Sequence, residues 1–175
     1  MRRKLAAIFT TATAVAGLGL VAAGPAQAAD RANIEITIGN GLCLDVPNSQ
    51  AYSGQYVQQW YCNGTGAQKW NVIHDGSWYF KIQSTLNPAL CLNNWEHTAA
   101  SGGHIKLYDC NDSTGDSLFN TKGVENSNGF WKFQPKLAVT TCVNMWGGDQ
   151  VGNVARLFDC NNEKSNSRFD IWNVS

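Results

Sequence analysis

Between Cys43 and Trp70 the sequence reads CLDVPNSQAYSGQYVQQWYCNGTGAQKW. A carboxylate (Asp45), an amide (Gln58), an indole (Trp60) and a second amide (Gln68) fall in or just beyond a stretch bounded by Cys43 and Cys62. A carboxylate accepts hydrogen bonds from two adjacent hydroxyls at once, with the added strength of a charged acceptor. An aromatic face covers the C–H side of a ring that carries those hydroxyls. The chemistry is therefore non-covalent recognition of a polyhydroxylated molecule. Alternate side chains of a strand share a face, so Gln58 and Trp60 point one way and Gln59 the other. The competing reading is that Asp45 caps a turn and Trp60 packs.

Bond-breaking chemistry is poorly represented. His74, His97 and His104 lack metal-ligand spacing, and no serine sits in a G-x-S-x-G setting. Hydrolysis of a glycosidic bond needs two carboxylates at a set separation, and nothing singles out such a pair. We expect no enzyme activity, no cofactor and no metal.

The six cysteines stand at 43, 62, 91, 110, 142 and 160, so within-pair separations are 19, 19 and 18. From pair to pair the steps are 48 and 51. This period selects Cys43–Cys62, Cys91–Cys110 and Cys142–Cys160 from the alternatives. Each bridge closes a loop worth about 3 kcal/mol on the chain-entropy model. No CxxC or Cys–His cluster supports a zinc site instead.

The period extends beyond cysteine. Alternating segments precede each first Cys: IEITI at 34–38, WYFKIQ at 78–83 and FWKFQP at 130–135. CLD, CLN and CVN begin at the first cysteines, and VQQWYC, IKLYDC and ARLFDC end at the second ones. Turn signals stand at Asp75-Gly76, Asn128-Gly129 and Gly147-Gly148. A unit of about fifty residues buries too little apolar surface to stand alone. Three can share one core, with Trp70, Phe119 and Phe169 as inner plugs.

Three copies of C-[LV]-[DN], aromatic-x-C and, in the first copy, Q-x-W resemble the ricin B-type lectin repeat. That resemblance implies an all-β, β-trefoil fold over residues 29–175, with repeats at about 30–77, 78–129 and 130–175 and one disulfide in each. It also implies sugar contact at Asp45, Gln58 and Trp60, with Gln68 supporting the site from Gln68-Lys69-Trp70. The family commonly has Asn before Q-x-W, and here Ala67 stands there. Losing that neutral hydrogen bond costs about 0.5–1.5 kcal/mol.

Copies two and three differ together. They carry Asn93 and Asn144 for Asp45, Tyr108 and Phe158 for Trp60, and Asp116 and Asn166 for Ala67. Lys106 and Arg156 replace Gln58, while Trp95 and Trp146 replace Pro47. Sugar contact is expected at Asn93, Tyr108, Asn144, Phe158 and Asn166. Trp95, Lys106, Trp146 and Arg156 are candidates for a second kind of site, in which an indole, an amide and a basic group converge on an acidic sugar, or on a sugar held by its ring oxygen and hydroxyls. The alternative pairs Lys106 with Asp109 and Arg156 with Asp159, the tryptophans merely covering the barrel.

The N-terminus reads as a signal peptide, residues 1–28: Arg2, Arg3 and Lys4, an apolar run, then Ala26-Gln27-Ala28. Residues 29–175 hold ten basic and thirteen acidic residues, a net of −3. That balance argues against nucleic acid as a partner, and no membrane insertion is expected. The expectation is a secreted, monomeric, carbohydrate-binding protein for neutral sugars such as galactosides or xylan-type polysaccharide. The alternative is a trefoil that binds protein, for example an inhibitor of a secreted hydrolase.

Overall fold

The computed structural model describes residues 31–122 and 129–171; the expected signal peptide and Asn128 of one turn signal lie outside them. Copy one contains β1 (Arg31–Glu35), β2 (Thr37–Ile38), β3 (Cys43–Asp45), β4 (Gln58–Trp60) and β5 (Lys69–His74). Copy two contains β6 (Phe80–Ser84), β7 (Leu90–Asn94), β8 (Ile105–Asp109) and β9 (Phe119–Lys122). Copy three contains β10 (Lys132–Pro135), β11 (Thr141–Met145), β12 (Ala155–Asp159) and β13 (Phe169–Asp170). The expected strands at 34–38, 78–83 and 130–135 thus become β1 with β2, β6 and β10.

The barrel closes by antiparallel pairing. β1 pairs β5, β5 pairs β6, β6 pairs β9 and β9 pairs β10. A bridge between Trp131 and Phe169 carries the ring to β13, which pairs β2. Closure pairs the wall strands on both sides among the described residues, which protects their edges. Its interior takes one side-chain set from every strand, as strand alternation requires. Trp70, Phe119 and Phe169 are all fully buried, as the sequence indicates, together with Phe133. The Phe133 and Phe169 rings stack at 4.6 Å. The buried Trp70 indole N–H donates to the Leu44 carbonyl at 3.1 Å, so its polar end carries no desolvation penalty.

Three hairpins, β3–β4, β7–β8 and β11–β12, cap one end of the barrel. Each brings its disulfide together: Cys43–Cys62, Cys91–Cys110 and Cys142–Cys160, with Cα separations of 5.0, 4.9 and 4.9 Å. The hairpins also bond to one another around the pseudo-threefold axis. Gly54 N–H donates to Leu107 O and Leu107 N–H to Gln55 O. Gly102, Leu157 and Gly103 repeat the pattern, as do Gly152, Gln59 and Asn153. The three glycines have φ of +89°, +94° and +86°, a region that favours glycine.

A buried cation and a half-buried one hold the chain after two of the disulfides. Lys132, 2% exposed, donates to the Cys160 carbonyl at 2.6 Å and pairs with Glu163 at 3.1 Å. Hydrogen bonds from Arg168 and Lys132 hold the Glu163 carboxyl below the usual range. Lys81 donates to the Cys110 carbonyl in the same way. Copy one inverts the polarity: Glu35 accepts from the Gly64 N–H at 3.0 Å. Replacing Lys132 with Met is expected to cost about 1–3 kcal/mol, because a buried carbonyl loses its donor. A lowered urea midpoint at constant m would bear this out, and an unchanged midpoint would contradict it.

Candidate functional site

The hairpin register brings the candidate residues face to face. Cys43 lies opposite Trp60 and Asp45 opposite Gln58. Cys91 and Asn93 lie opposite Tyr108 and Lys106, and Cys142 and Asn144 opposite Phe158 and Arg156. An acceptor or amide and an aromatic ring therefore recur at the same distance along each hairpin. The disulfide then ties the strand that bears one to the strand that bears the other.

Among the described residues, a shallow cleft lies on each copy. The first, about 360 Å³, is lined by Asp45, Pro47, Gln58, Trp60, Asn63 and Ala67 among others. Asp45 is 5% exposed and Trp60 39% exposed, so the carboxylate sits deep and the indole stands at the rim. Gln58 Nε2 donates to Asp45 Oδ1 at 2.8 Å and Gln68 Nε2 to Oδ2 at 3.2 Å. Burial pushes the Asp45 carboxyl above its ordinary range, against the opposing pull of these two amide bonds. Both carboxylate oxygens are thus fixed in place while each retains lone-pair capacity for an incoming hydroxyl. Gln68 is fully buried; it also donates to Tyr61 O and accepts from Asn63 N–H. Its role is to position Asp45 rather than to reach a ligand. Gln59, on the opposite face, is fully buried and donates to Gly148 O and Gln150 O of copy three, each at 2.7 Å.

The second cleft, about 310 Å³, is lined by Asn93, Trp95, Tyr108, Asp112, Thr114 and Asp116. Trp95 and Tyr108 meet edge to face at 5.7 Å. Asn93 Nδ2 donates to Ser117 Oγ and Asp112 Oδ2, so Ser117 takes over part of the support that Gln68 gives in copy one. Burial raises Asp112, but hydrogen bonds from Thr114 and Asn93 outweigh it and leave the carboxyl below the usual range.

The third cleft is the largest, about 550 Å³, and includes Asn144, Trp146, Asp149, Phe158, Asn162, Lys164 and Asn166 in its lining. Trp146 and Phe158 repeat the edge-to-face pair at 5.9 Å. Asn166 Nδ2 bonds Met145 O at 2.6 Å and Asn144 Oδ1 at 3.4 Å. Asn144 Nδ2 and Asn166 Oδ1 have no partner among the described residues.

The basic residues lie against the indoles. Lys106 and Arg156 are not among the residues that line the second and third clefts. Lys106 Nζ instead lies 4.7 Å from the Trp95 ring and 4.5 Å from the Tyr56 ring, and the Arg156 guanidinium lies 5.5 Å from the Trp146 ring. These are cation–π contacts that brace the indoles. Nor do Asp109 and Asp159 serve them as partners: their Oδ1 atoms accept from the N–H groups of Asn111 and Asn161 in the following turns.

The sequence pattern also missed how the aromatic walls are backed. A Cβ on Gly54 would meet Trp95 at 3.3 Å, one on Gly102 would meet Trp146 at 3.8 Å, and one on Gly152 would meet Trp60 at 3.9 Å. Each indole therefore lies over the glycine of the preceding copy, and copy one supplies its indole from β4 because Pro47 stands where the others have Trp. The recurrence of glycine at 54, 102 and 152 was the available signal. Among the described residues no group of three or more His, Cys, Asp or Glu side chains could hold a metal ion.

Comparison with known proteins gives this arrangement its context. Residues 27–108 match the model of the ricin-type beta-trefoil lectin domain-like family. A beta-galactoside-specific lectin from Viscum album is 38% identical over 74 residues, 41% of this chain; the match spans only 12% of that protein. The designed threefold-symmetric protein ThreeFoil superposes with a TM-score of 0.70 at 15% identity, over 78% of this chain and 95% of its own. An exo-beta-1,3-galactanase from Clostridium thermocellum superposes with a TM-score of 0.71 at 16% identity, over 79% of this chain and 29% of its own. The solved structures speak to fold, and the sequence matches to family. With three like copies, a closed barrel and three capping hairpins, the chain has a β-trefoil fold, and its residues 27–108 resemble the ricin-type lectin-like family.

Proposed function

We propose that the protein is a secreted carbohydrate-binding protein whose first cleft takes neutral sugars, such as galactosides or units of xylan-type polysaccharide. The observation that carries this reading is the Asp45 carboxylate, clamped by Gln58 and Gln68 at the floor of a cleft rimmed by Trp60. Preorganised acceptors spare a ligand the cost of ordering them. The name of the Viscum album relative supports the galactoside side of the proposal. Three disulfides accord with an oxidising compartment, which supports secretion. Three shallow clefts on one scaffold favour avidity on polymers over tight capture of a free sugar.

A glycan array on the intact protein, followed by calorimetric titration of its hits, tests the reading. Asp45→Asn is expected to weaken binding at the first cleft about tenfold, since a charged acceptor becomes a neutral amide facing two amide donors. The fold accommodates the change, because Asn93 and Asn144 occupy the equivalent positions. Equal affinity in the variant would remove Asp45 from the site.

Trp60→Ala is expected to lower affinity several-fold with unchanged thermal stability, because the ring is 39% exposed and fills no core space. NMR titration of cleft-one resonances would measure this, and retained affinity would rule out stacking there.

Acid should weaken the first cleft early. The ionised carboxylate is the stronger acceptor, and its folded pKa is raised above 3.8. Affinity therefore holds above that raised value and falls as pH drops through it. Titrations across the acid range would show this loss in the wild type and a flat profile in Asp45→Asn; matching profiles would contradict it.

A further inference from the structure

Copies two and three place their post-disulfide loops alike but give them opposite charge. Asp112, Thr114 and Asp116 follow Cys110 by two, four and six residues, where Asn162, Lys164 and Asn166 follow Cys160. All six side chains line their respective clefts. The second cleft is thus walled by two carboxylates and two aromatic rings, whereas the third has amides and an ammonium at the same points.

Asp112 accepts from the Thr114 N–H, the Thr114 hydroxyl and Asn93 Nδ2, whereas Asp116 is short of donors. Thr114 Oγ1 lies within hydrogen-bond reach of Asp112 Oδ2 and of Asp116 Oδ2, yet a hydroxyl has a single proton to give. Asp116 is 5% exposed, and its Oδ1 has no partner among the described residues. The cleft already draws one cationic group to this point: His97 Nδ1 sits 2.8 Å from Asp116 Oδ2. The hydrogen bond and charge of Asp116 raise the His97 imidazole above its ordinary pKa. His97 is 64% exposed in its side chain and can yield the position to a ligand. Trp95 and Tyr108, 38% and 40% exposed, supply ring faces that attract both C–H surface and positive charge.

We propose that the second cleft takes a cationic amino sugar, its ammonium seated between Asp112 and Asp116 and its ring covered by Trp95 and Tyr108. This rests on the carbohydrate-binding reading above and gives the second cleft a ligand class distinct from that of the first. An ammonium brings three donors and a full charge to a carboxylate pair with one oxygen lacking a partner among the described residues, whereas an N-acetylated amine brings one donor and no charge. Asn162 and Asn166 remove the same pull from the third cleft.

The test is an NMR titration of the intact protein at low salt and slightly acidic pH, with two probes: the methyl glycoside of 2-amino-2-deoxygalactose and its N-acetylated counterpart. The amino glycoside is expected to bind at the Trp95 indole about tenfold more tightly than the N-acetylated one, a charge-assisted preference. Added salt should shrink that preference. The double variant Asp112→Asn, Asp116→Asn should abolish it; copy three carries those amides at the same positions, so the fold tolerates them. The response of Trp60 to a neutral galactoside serves as the check that the variant is folded. Equal affinity for the two probes, or a preference that survives in the double variant, would overturn the inference while leaving a responsive first cleft intact. Silence of all three clefts towards every saccharide would overturn both this inference and the function proposed above.

Discussion

No single copy of this chain can bury its own apolar face, and the structure follows from that constraint. Each contributes a few short strands, too few for a closed core. Only when the third copy returns to the first, through Trp131 and Phe169 to β2, do Trp70, Phe119, Phe133 and Phe169 become fully enclosed. Closing the barrel fixes the hairpins at its end, and the hairpins then bond in a ring through Leu107, Leu157 and Gln59. The clefts are a consequence of this ring. Each lies where the aromatic wall of one copy rests on a glycine of its predecessor.

Within that frame the copies diverge at positions that face outward. The interior is mostly aliphatic and aromatic, while the cleft floor changes from Asp45 to Asn93 and Asn144. Gln59 shows how an interior position can differ as well. It occupies the place of Leu107 and Leu157, yet its amide is fully used on the loop that borders the third cleft. A polar group at such a point is tolerated because it leaves no unmet donor. It also couples the first copy to the shape of the third site.

The parts of the fold legible in the sequence were those governed by periodicity. Cysteine spacing gave the three bridges, and strand alternation placed Gln58 and Trp60 outward and Gln59 inward. The core plugs followed from their near-constant distance, eight or nine residues, to the second cysteine. The ring contacts of the basic residues were not legible, because strand parity says which face a side chain takes, not which neighbouring copy waits there. Lys106 meets Tyr56 of copy one, a contact that arises only where the hairpins of two copies meet. Asp112, Thr114, Asn162 and Lys164 escaped notice because they sit in turns after the second cysteine, where no periodic pattern applies.

A crystal structure of the protein with a bound neutral galactoside would test the central claim most directly. The account predicts a sugar ring lying over Trp60 with adjacent hydroxyls donating to Asp45, whose contacts from Gln58 and Gln68 persist. A sugar seated away from the three capping hairpins, or one that leaves Asp45 untouched, would contradict it.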